Sequence, residues 1–206
     1  MADSKNPSTF INNTGNKILK ERISQLIGIS KELKFLVGFF YFSGIRELYE
    51  SLKQSPDIVL KVLVGLNVDK QVYGLNEYGA PGKLDGNKHQ LLFKDSVIKS
   101  INSDEFDNQE FYEQAKFFIQ LIIDNKLVIR KTREPNHAKL YFFKFQDAHA
   151  IHKPECFITG SSNLTRAGLS QQNELNVEIA DYGTTEAEGY FNELWEKSGK
   201  QVSFLG

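Results

Sequence analysis

Cysteine occurs once in this 206-residue chain. A single thiol excludes an internal disulfide, so packing and hydrogen bonding must hold the fold together. Cys156 sits beside Phe157 and Ile158 and reads as a small buried hydrophobe. The lack of disulfides suits a reducing compartment, and a cytoplasmic location is expected. An excess of charge of one sign is also missing. The 25 Lys and Arg face 26 Asp and Glu, a formal net charge of −1, so the chain as a whole has no attraction for a polyanion. No apolar run approaches the ~20 residues needed to span a bilayer. The opening stretch MADSKNPSTF lacks the apolar core of a signal peptide. No membrane partner is expected. There is no GxxxxGK[ST] motif and hence no nucleotide-hydrolysing phosphate loop. Gly160-Ser161 does not sit in a GxSxG elbow, which argues against an α/β-hydrolase. Internal repeats and low-complexity tracts are absent.

The remaining composition, 40% hydrophobic and 25% charged, is that of a globular protein long enough for one domain with a sizeable core. Residues 1–13 read as a tail. Leu19, Ile23, Leu26 and Ile27 recur at helical spacing between Asn16 and Ile29. KFLVGFFYF, from Lys34 to Phe42, is nearly continuous apolar and aromatic, as a strand buried on both faces would be. A helix is expected next, capped by Ser43, with Ile45, Leu48, Tyr49 and Leu52 along one stripe and Pro56 beyond its end. VLKVLVG, from Val59 to Gly65, is a second buried strand, and strand-helix-strand predicts a parallel pair.

Residues 66–87 carry Gly74, Gly79, Pro81, Gly82 and Gly86 without hydrophobic period. A loop beyond ~12–15 residues is unusual, and this one is either a substrate-guiding loop or an insertion. The acids between Asp104 and Glu113 suit the start of a helix bearing Phe111, Ala115, Phe118 and Ile122. Leu127–Lys131 is a third strand. The turn Glu134-Pro135-Asn136 delivers His137 to the start of a fourth. FITG and Asn176–Ala180 complete the strands. Thr185 with Glu188 forms a capping-box pattern for a last helix with Ala187, Tyr190, Phe191 and Leu194 on its face. The expected architecture is a single α/β domain over residues 1–206, a mixed, largely buried sheet with helices on both faces.

The chemistry is concentrated between His137 and Glu174. In HAKLYFF, alternation along a strand puts His137 and Lys139 on one side, with Tyr141 and Phe143 behind them. In GSSNLTRAGL, Ser161 and Asn163 share a side if the chain stays extended. An imidazole, an ammonium, a hydroxyl and an amide then converge, which is what an anionic phosphoryl group requires. From Lys126 to Lys144 the bases Lys126, Arg130, Lys131, Arg133, Lys139 and Lys144 meet the single acid Glu134. That run is either a phosphate track or a solvated strand edge. His149, His152 and Cys156 have zinc-like spacing, but a structural site wants four ligands and no fourth is evident. A polar hairpin loop is expected there. No metal and no cofactor are assigned, and His89 has no evident role.

H-x-K, then G-S-x-N, then Glu174 eleven residues after Asn163, resembles the phospholipase D superfamily, above all its nuclease branch with one motif per chain. The motif pieces cover about a fifth of the chain. The family's Asp, five residues after the Lys, is replaced here by Lys144. GFFYFSG near the front looks like the opening strand of phospholipase D-like domains at the N-termini of bacterial restriction-type helicases. That would make this chain the N-terminal part of a longer helicase-type protein.

The resemblance implies a phospholipase D-like fold and a metal-independent phosphodiesterase acting on nucleic acid, DNA before RNA. His137 would attack phosphorus and form a phosphohistidine. Lys139 and Asn163 would hold the non-bridging oxygens, and Glu174 would accept from the other ring nitrogen of His137. Ser161 would add a hydrogen bond. Arg166 is either a further phosphate contact or a plain surface arginine. With one motif per chain, a homodimer is implied, each copy supplying His137, Lys139, Asn163 and Glu174. Two alternatives stand beside this: a decayed nucleic-acid-binding module of a helicase or restriction system, kept open by Lys144, and a lipid phosphodiesterase. An apolar, aromatic rim would favour the lipid; the basic run favours nucleic acid.

Overall fold

The structure, a computed structural model, describes residues 10–68, 109–151 and 153–198. Its strands are β1 (Phe10–Ile11), β2 (Ser30–Phe40), β3 (Val59–Val68), β4 (Leu127–Lys131), β5 (Leu140–Phe145), β6 (Glu155–Gly160) and β7 (Asn176–Ile179). They form one sheet in the order β1-β7-β6-β5-β2-β3-β4. β2, β3 and β4 run parallel. The β2–β5, β5–β6, β6–β7 and β7–β1 pairs are antiparallel. The helices are α1 (Leu19–Ile27), α2 (Phe42–Arg46), α3 (Tyr49–Lys53), α4 (Gln109–Ile123) and α5 (Thr184–Lys197). This is the mixed α/β sheet with two helical faces that the sequence predicts.

The two faces differ in kind. One packs Leu33, Phe35, Val37, Val62, Tyr141, Phe143 and Ile158 against the apolar stripes of α1 to α4. Phe35 meets Tyr141 and Phe143 edge-on, with ring centroids 5.0 and 5.7 Å apart, the geometry aromatic quadrupoles favour. On the other face, Leu36, Leu63, Phe142 and Phe157 pack against Phe191 of α5. There the apolar patch is small and charged groups share it. Lys34, on the central strand β2, is 5% exposed, and its Nζ meets Glu188 Oε1 at 2.5 Å and Asn192 Oδ1 at 3.0 Å. Lys144 reaches the same Glu188 oxygen at 3.1 Å. Arg130 stacks on Trp195, 4.2 Å from the ring centroid, and donates from Nη1 to the Trp195 carbonyl. α5 is therefore held by ions as much as by apolar contact.

Several local expectations are corrected. The presumed tail contributes β1, and Asn13 accepts from the Leu19 amide while donating to the Gly168 and Gln172 carbonyls. The helix after Ser43 is two short ones. α2 starts at Phe42 with Tyr41 at its cap position and no side-chain cap, so Ser43 does not cap it. The Thr185–Glu188 capping box does not form. Gly183 precedes α5 without a side-chain cap, and Glu188 faces the two lysines instead. Tyr190, expected on the core face, is 45% exposed. Leu66–Val68 continue β3; the rest of the glycine-rich stretch, His89, His152 and the chain's last residues lie outside the described residues.

Burial works against the charge on Glu188, but the ammonium groups of Lys34 and Lys144 outweigh it and hold the carboxyl below its ordinary 4.5. A carboxyl depressed on folding stabilises the protein above its unfolded pKa, and that contribution is lost as pH falls through the folded value. Glu188→Gln is expected to cost about 2 kcal/mol near neutral pH, because it takes the nearer counter-charge from a buried ammonium and leaves Lys34 only Glu32, at 3.7 Å. The gap between variant and wild type should shrink below pH 4.5. Urea unfolding at a series of pH values checks this, and a gap that is constant with pH rejects it.

Candidate active site

All the motif residues lie at one end of the sheet. Leu36 of β2 pairs with Leu140 at the start of β5, and Leu140 with Thr159 near the end of β6. Gly160 pairs with Asn176 at the start of β7. That edge therefore gathers the C-terminal ends of the parallel strands with the segments holding His137, Lys139, Ser161, Asn163 and Glu174.

The β4–β5 connection must cross the ends of β3 and β2 to reach β5. It does so in backbone contact with Gly65. The Asn136 amide donates to the Gly65 carbonyl at 3.1 Å. A Cβ at Gly65 would stand 1.8 Å from the Asn136 carbonyl oxygen, so no larger residue fits. Thr132 bridges the start of the same loop, its hydroxyl donating to the Glu134 carbonyl at 2.6 Å. Asn136 Oδ1 accepts from the Ala138 amide at 2.8 Å, an Asx turn that spans His137. The expected strand start at His137 is therefore corrected to Leu140. Residues 137–139 stay outside the ladder, and the Lys139 carbonyl accepts from the Thr159 hydroxyl at 2.8 Å.

His137 is exposed, whereas Lys139 is 5% exposed. Their side chains meet, with Lys139 Nζ 2.7 Å from His137 Nδ1 and also donating to the His137 carbonyl. Asn163 approaches from the far side of β2 through the β6 end. Its Oδ1 accepts from the Phe39 amide at 3.0 Å, which leaves its NH2 group as the donor available to a ligand. A Cβ at Gly38 would lie 3.2 Å from Asn163 Oδ1 and 3.6 Å from Lys139 Nζ. The two halves of the motif thus both border one glycine.

Ser161 and Glu174 form a second pair. The Ser161 hydroxyl donates to Glu174 Oε2 and accepts from the Leu175 amide. Glu174 is therefore engaged by Ser161 here, while His137 is engaged by Lys139. Burial lowers the Lys139 pKa from its ordinary value, and the charge of Glu174 acts in the opposite direction. Burial pushes the Tyr141 phenol well above its usual range, with Glu174 adding to the rise. Tyr141 stays protonated and donates to the Ser162 carbonyl at 3.0 Å, fixing the segment between Ser161 and Asn163.

The other candidates lie elsewhere. Arg166 is exposed, its Nε 3.4 Å from Glu47, outside this set of contacts. The basic run divides along the strands. Lys131 and Arg133 stand at the site's end of β4. Lys126 donates to the Pro56 carbonyl at the opposite end, and Lys144 belongs to the Glu188 cluster. Lys144, at the family's Asp position, is thus at the far end of β5 from His137. Cys156 is buried, and burial pushes its thiol up to about 12, which disfavours a thiolate ligand. Among the described residues no group of His, Cys, Asp and Glu could hold a metal. Sequence reading missed Tyr190, whose hydroxyl accepts from Asn136 Nδ2 at 2.9 Å. Its one visible trace was the turn residue Asn136.

Residues 35–195 match the family described as "Cardiolipin synthase, PLD-like domain". The chain belongs to the phospholipase D-like family. No curated protein matches it. Among solved structures, phosphatidylserine synthase from Haemophilus influenzae Rd KW20 aligns at TM-score 0.54 and 16% identity, over 94% of this chain and 39% of that one. NucT from Helicobacter pylori aligns at 0.45 and 12%, over 88% and 89%. Nuc from Salmonella typhimurium, a phospholipase D family member, aligns at 0.42 and 13%, over 89% and 90%. The phospholipase D-like fold agrees with the expected architecture. Among the described residues no helix is long and apolar enough to cross a membrane.

Gly65→Ala is expected to keep the sheet but displace the loop bearing His137, lowering phosphodiesterase turnover by about 100-fold. Gly189 of α5, where a Cβ meets nothing within 4 Å, is the control: Gly189→Ala should keep activity and stabilise the helix by about 0.5–1 kcal/mol. Turnover of a chromogenic phosphodiester and thermal melts check both, and an active Gly65→Ala rejects the first.

Proposed function

We propose that this phospholipase D-like chain is a metal-independent phosphodiesterase that cleaves nucleic acid, DNA before RNA. The observation that carries the reading is the contact of exposed His137 with buried Lys139, whose Nζ and the Asn163 Oδ1 both border Gly38. The substrate class is supported by Lys131 and Arg133 at the same end of the sheet, the part of the basic run that remains near the site.

The chemistry follows from the contacts. With Lys139 charged, Nδ1 of His137 is the acceptor and the ring proton sits on Nε2, so the ring is not yet a nucleophile. A bound phosphoryl group would draw the Lys139 ammonium and the Ser161 hydroxyl onto its non-bridging oxygens, with the Asn163 NH2 beside them. Both existing pairs would then open. Solvent then takes the Nε2 proton and protonates Nδ1, which the ammonium has left; Nδ1–H turns to the freed Glu174 carboxylate, and the Nε2 lone pair becomes available. Nε2 attacks phosphorus, the P–O bond to the leaving alcohol breaks, and the leaving oxygen takes a proton. Water, giving its proton to the partner subunit's His137, then attacks the phosphohistidine, the P–N bond breaks, and His137 is regenerated. The proton for the leaving oxygen comes from the partner subunit's His137 in a homodimer with a two-fold axis at the site. The GFFYFSG stretch supports placing such a domain, in the cytoplasm, beside a helicase-type partner.

A lipid phosphodiesterase is the second reading. Leu175 is 60% and Tyr190 45% exposed, beside Glu174 and Asn136 respectively, and they give the site a partly apolar rim. The binding-module reading stays the alternative that lack of turnover would favour.

Labelled single- and double-stranded DNA incubated in excess EDTA should be cut by wild type and not by His137→Ala, with activity rising more than linearly as protein concentration is raised through dimerisation. Turnover of phosphatidylglycerol vesicles without DNA cleavage would replace the substrate class. Phosphate affinity should fall as pH rises through the Lys139 pKa, at a pH below the ordinary 10.5. Because Glu174 supports the ammonium, the fall should come at lower pH in Glu174→Gln. Calorimetric titration with inorganic phosphate checks this, and an unmoved limb in the variant rejects the coupling.

A further inference from the structure

We infer that Tyr190 and Asn136 form a positioning pair that holds His137 in register, and that α5 is anchored through Lys144 so as to supply it. The inference rests on the reading of His137 as the reacting group.

Asn136 is fixed at three points. Its backbone amide donates to the Gly65 carbonyl, its Oδ1 accepts from the Ala138 amide, and its Nδ2 donates to the Tyr190 hydroxyl at 2.9 Å. The first two contacts are local to the sheet edge. The third joins residues 54 apart and is the one that restrains the Asn136 side chain from outside. The side-chain amide must keep its carbonyl on the Ala138 amide for the turn around His137 to persist. The Ala138 N–H, a donor only, sets which way that amide faces, and the Tyr190 hydroxyl holds the amide plane from its Nδ2 end. His137 is exposed, and its one ring contact is with Lys139 two residues on. Where that pair stands therefore depends on the turn.

Tyr190 can do this only if α5 is placed accurately. One turn of that helix holds the means. Glu188 is gripped by Lys34 and Lys144, Asn192 by Lys34, and Phe191 is fully buried beside them. Residues 188, 191 and 192 face the sheet, so Tyr190 points away along the rim toward Asn136. The exposed ring at 45% then has a reason: it is there for its hydroxyl. Lys144 accordingly serves placement, from the far end of β5, rather than the reaction.

The test uses Tyr190→Phe, which keeps the ring and the fold, together with Asn136→Ala and the double variant. Turnover and KM are measured on bis(p-nitrophenyl) phosphate, and the His137 ring resonances by heteronuclear NMR with a pH titration. Tyr190→Phe should lower kcat about tenfold with KM and Tm unchanged, and should shift and broaden the His137 ring signals. The double variant should be no worse than Asn136→Ala, since both act through one contact. Unchanged ring signals and kcat in Tyr190→Phe overturn the inference, as does strict additivity of the two single effects. If wild type itself has no phosphodiesterase activity, the proposed function fails on that count, while the His137 signals still decide whether Tyr190 holds the ring.

Discussion

The loop that carries His137 is set by backbone pressed against backbone. Between the end of β4 and the start of β5 the chain must pass over β3 and β2, and it has seven residues before Lys139 in which to do so. Gly65 lets the Asn136 carbonyl settle where a side chain would otherwise stand. The sheet edge then dictates the height of the loop, the Asx turn dictates its twist, and Lys139 enters the protein while His137 remains outside. Little apolar burial is available at this point. The accuracy of the site comes from sterics and from hydrogen bonds whose partners are themselves in the sheet.

The two faces of the sheet divide the work. The face covered by α1 to α4 is the main hydrophobic core and supplies the bulk of the burial that stabilises the fold. The face under α5 has fewer apolar residues and gives positions to Lys34 and Lys61 on inner strands and to Arg130 on the edge strand β4. An ammonium on a central strand is costly to bury without a partner, and Glu188 supplies one. Such a cluster is a weak source of net stability compared with a hydrophobic patch of the same size. It is directional, however, and fixes the register of α5 along the sheet in a way that Phe191 alone would not.

The apolar runs made the sheet legible from sequence. KFLVGFFYF and VLKVLVG read as strands buried on both faces, and they supply the parallel pair β2 and β3, except that Tyr41 and Phe42 leave β2 for α2. Alternation also suggested that His137 and Lys139 share a side; their side chains do meet, although residues 137–139 are outside the ladder and turn around His137. Ladder ends were not legible, since whether His137 pairs depends on how far β2 and β6 extend beside it. The Thr185–Glu188 capping box failed because Glu188 had a stronger use than the local amide. The basic run misled for a related reason. Neighbours in sequence from Lys126 to Lys144 run up one strand and down another, so they separate to opposite ends of the sheet. Composition counts charges without regard to ends.

The site's polar groups are satisfied in pairs, and that has a consequence for the order of events. A buried ammonium and a carboxylate at one sheet edge would ordinarily seek each other. Here Lys139 is spent on His137 and Glu174 on Ser161. Neither pair is deeply buried on both sides, so each can open at modest cost, and an incoming phosphoryl oxygen offers both donors a stronger, charged acceptor. In the proposed mechanism, the donors that would stabilise the substrate are those that occupy His137 and Glu174 in its absence. Binding and activation of the nucleophile would then be one exchange of partners, with the imidazole engaged until there is something for it to attack.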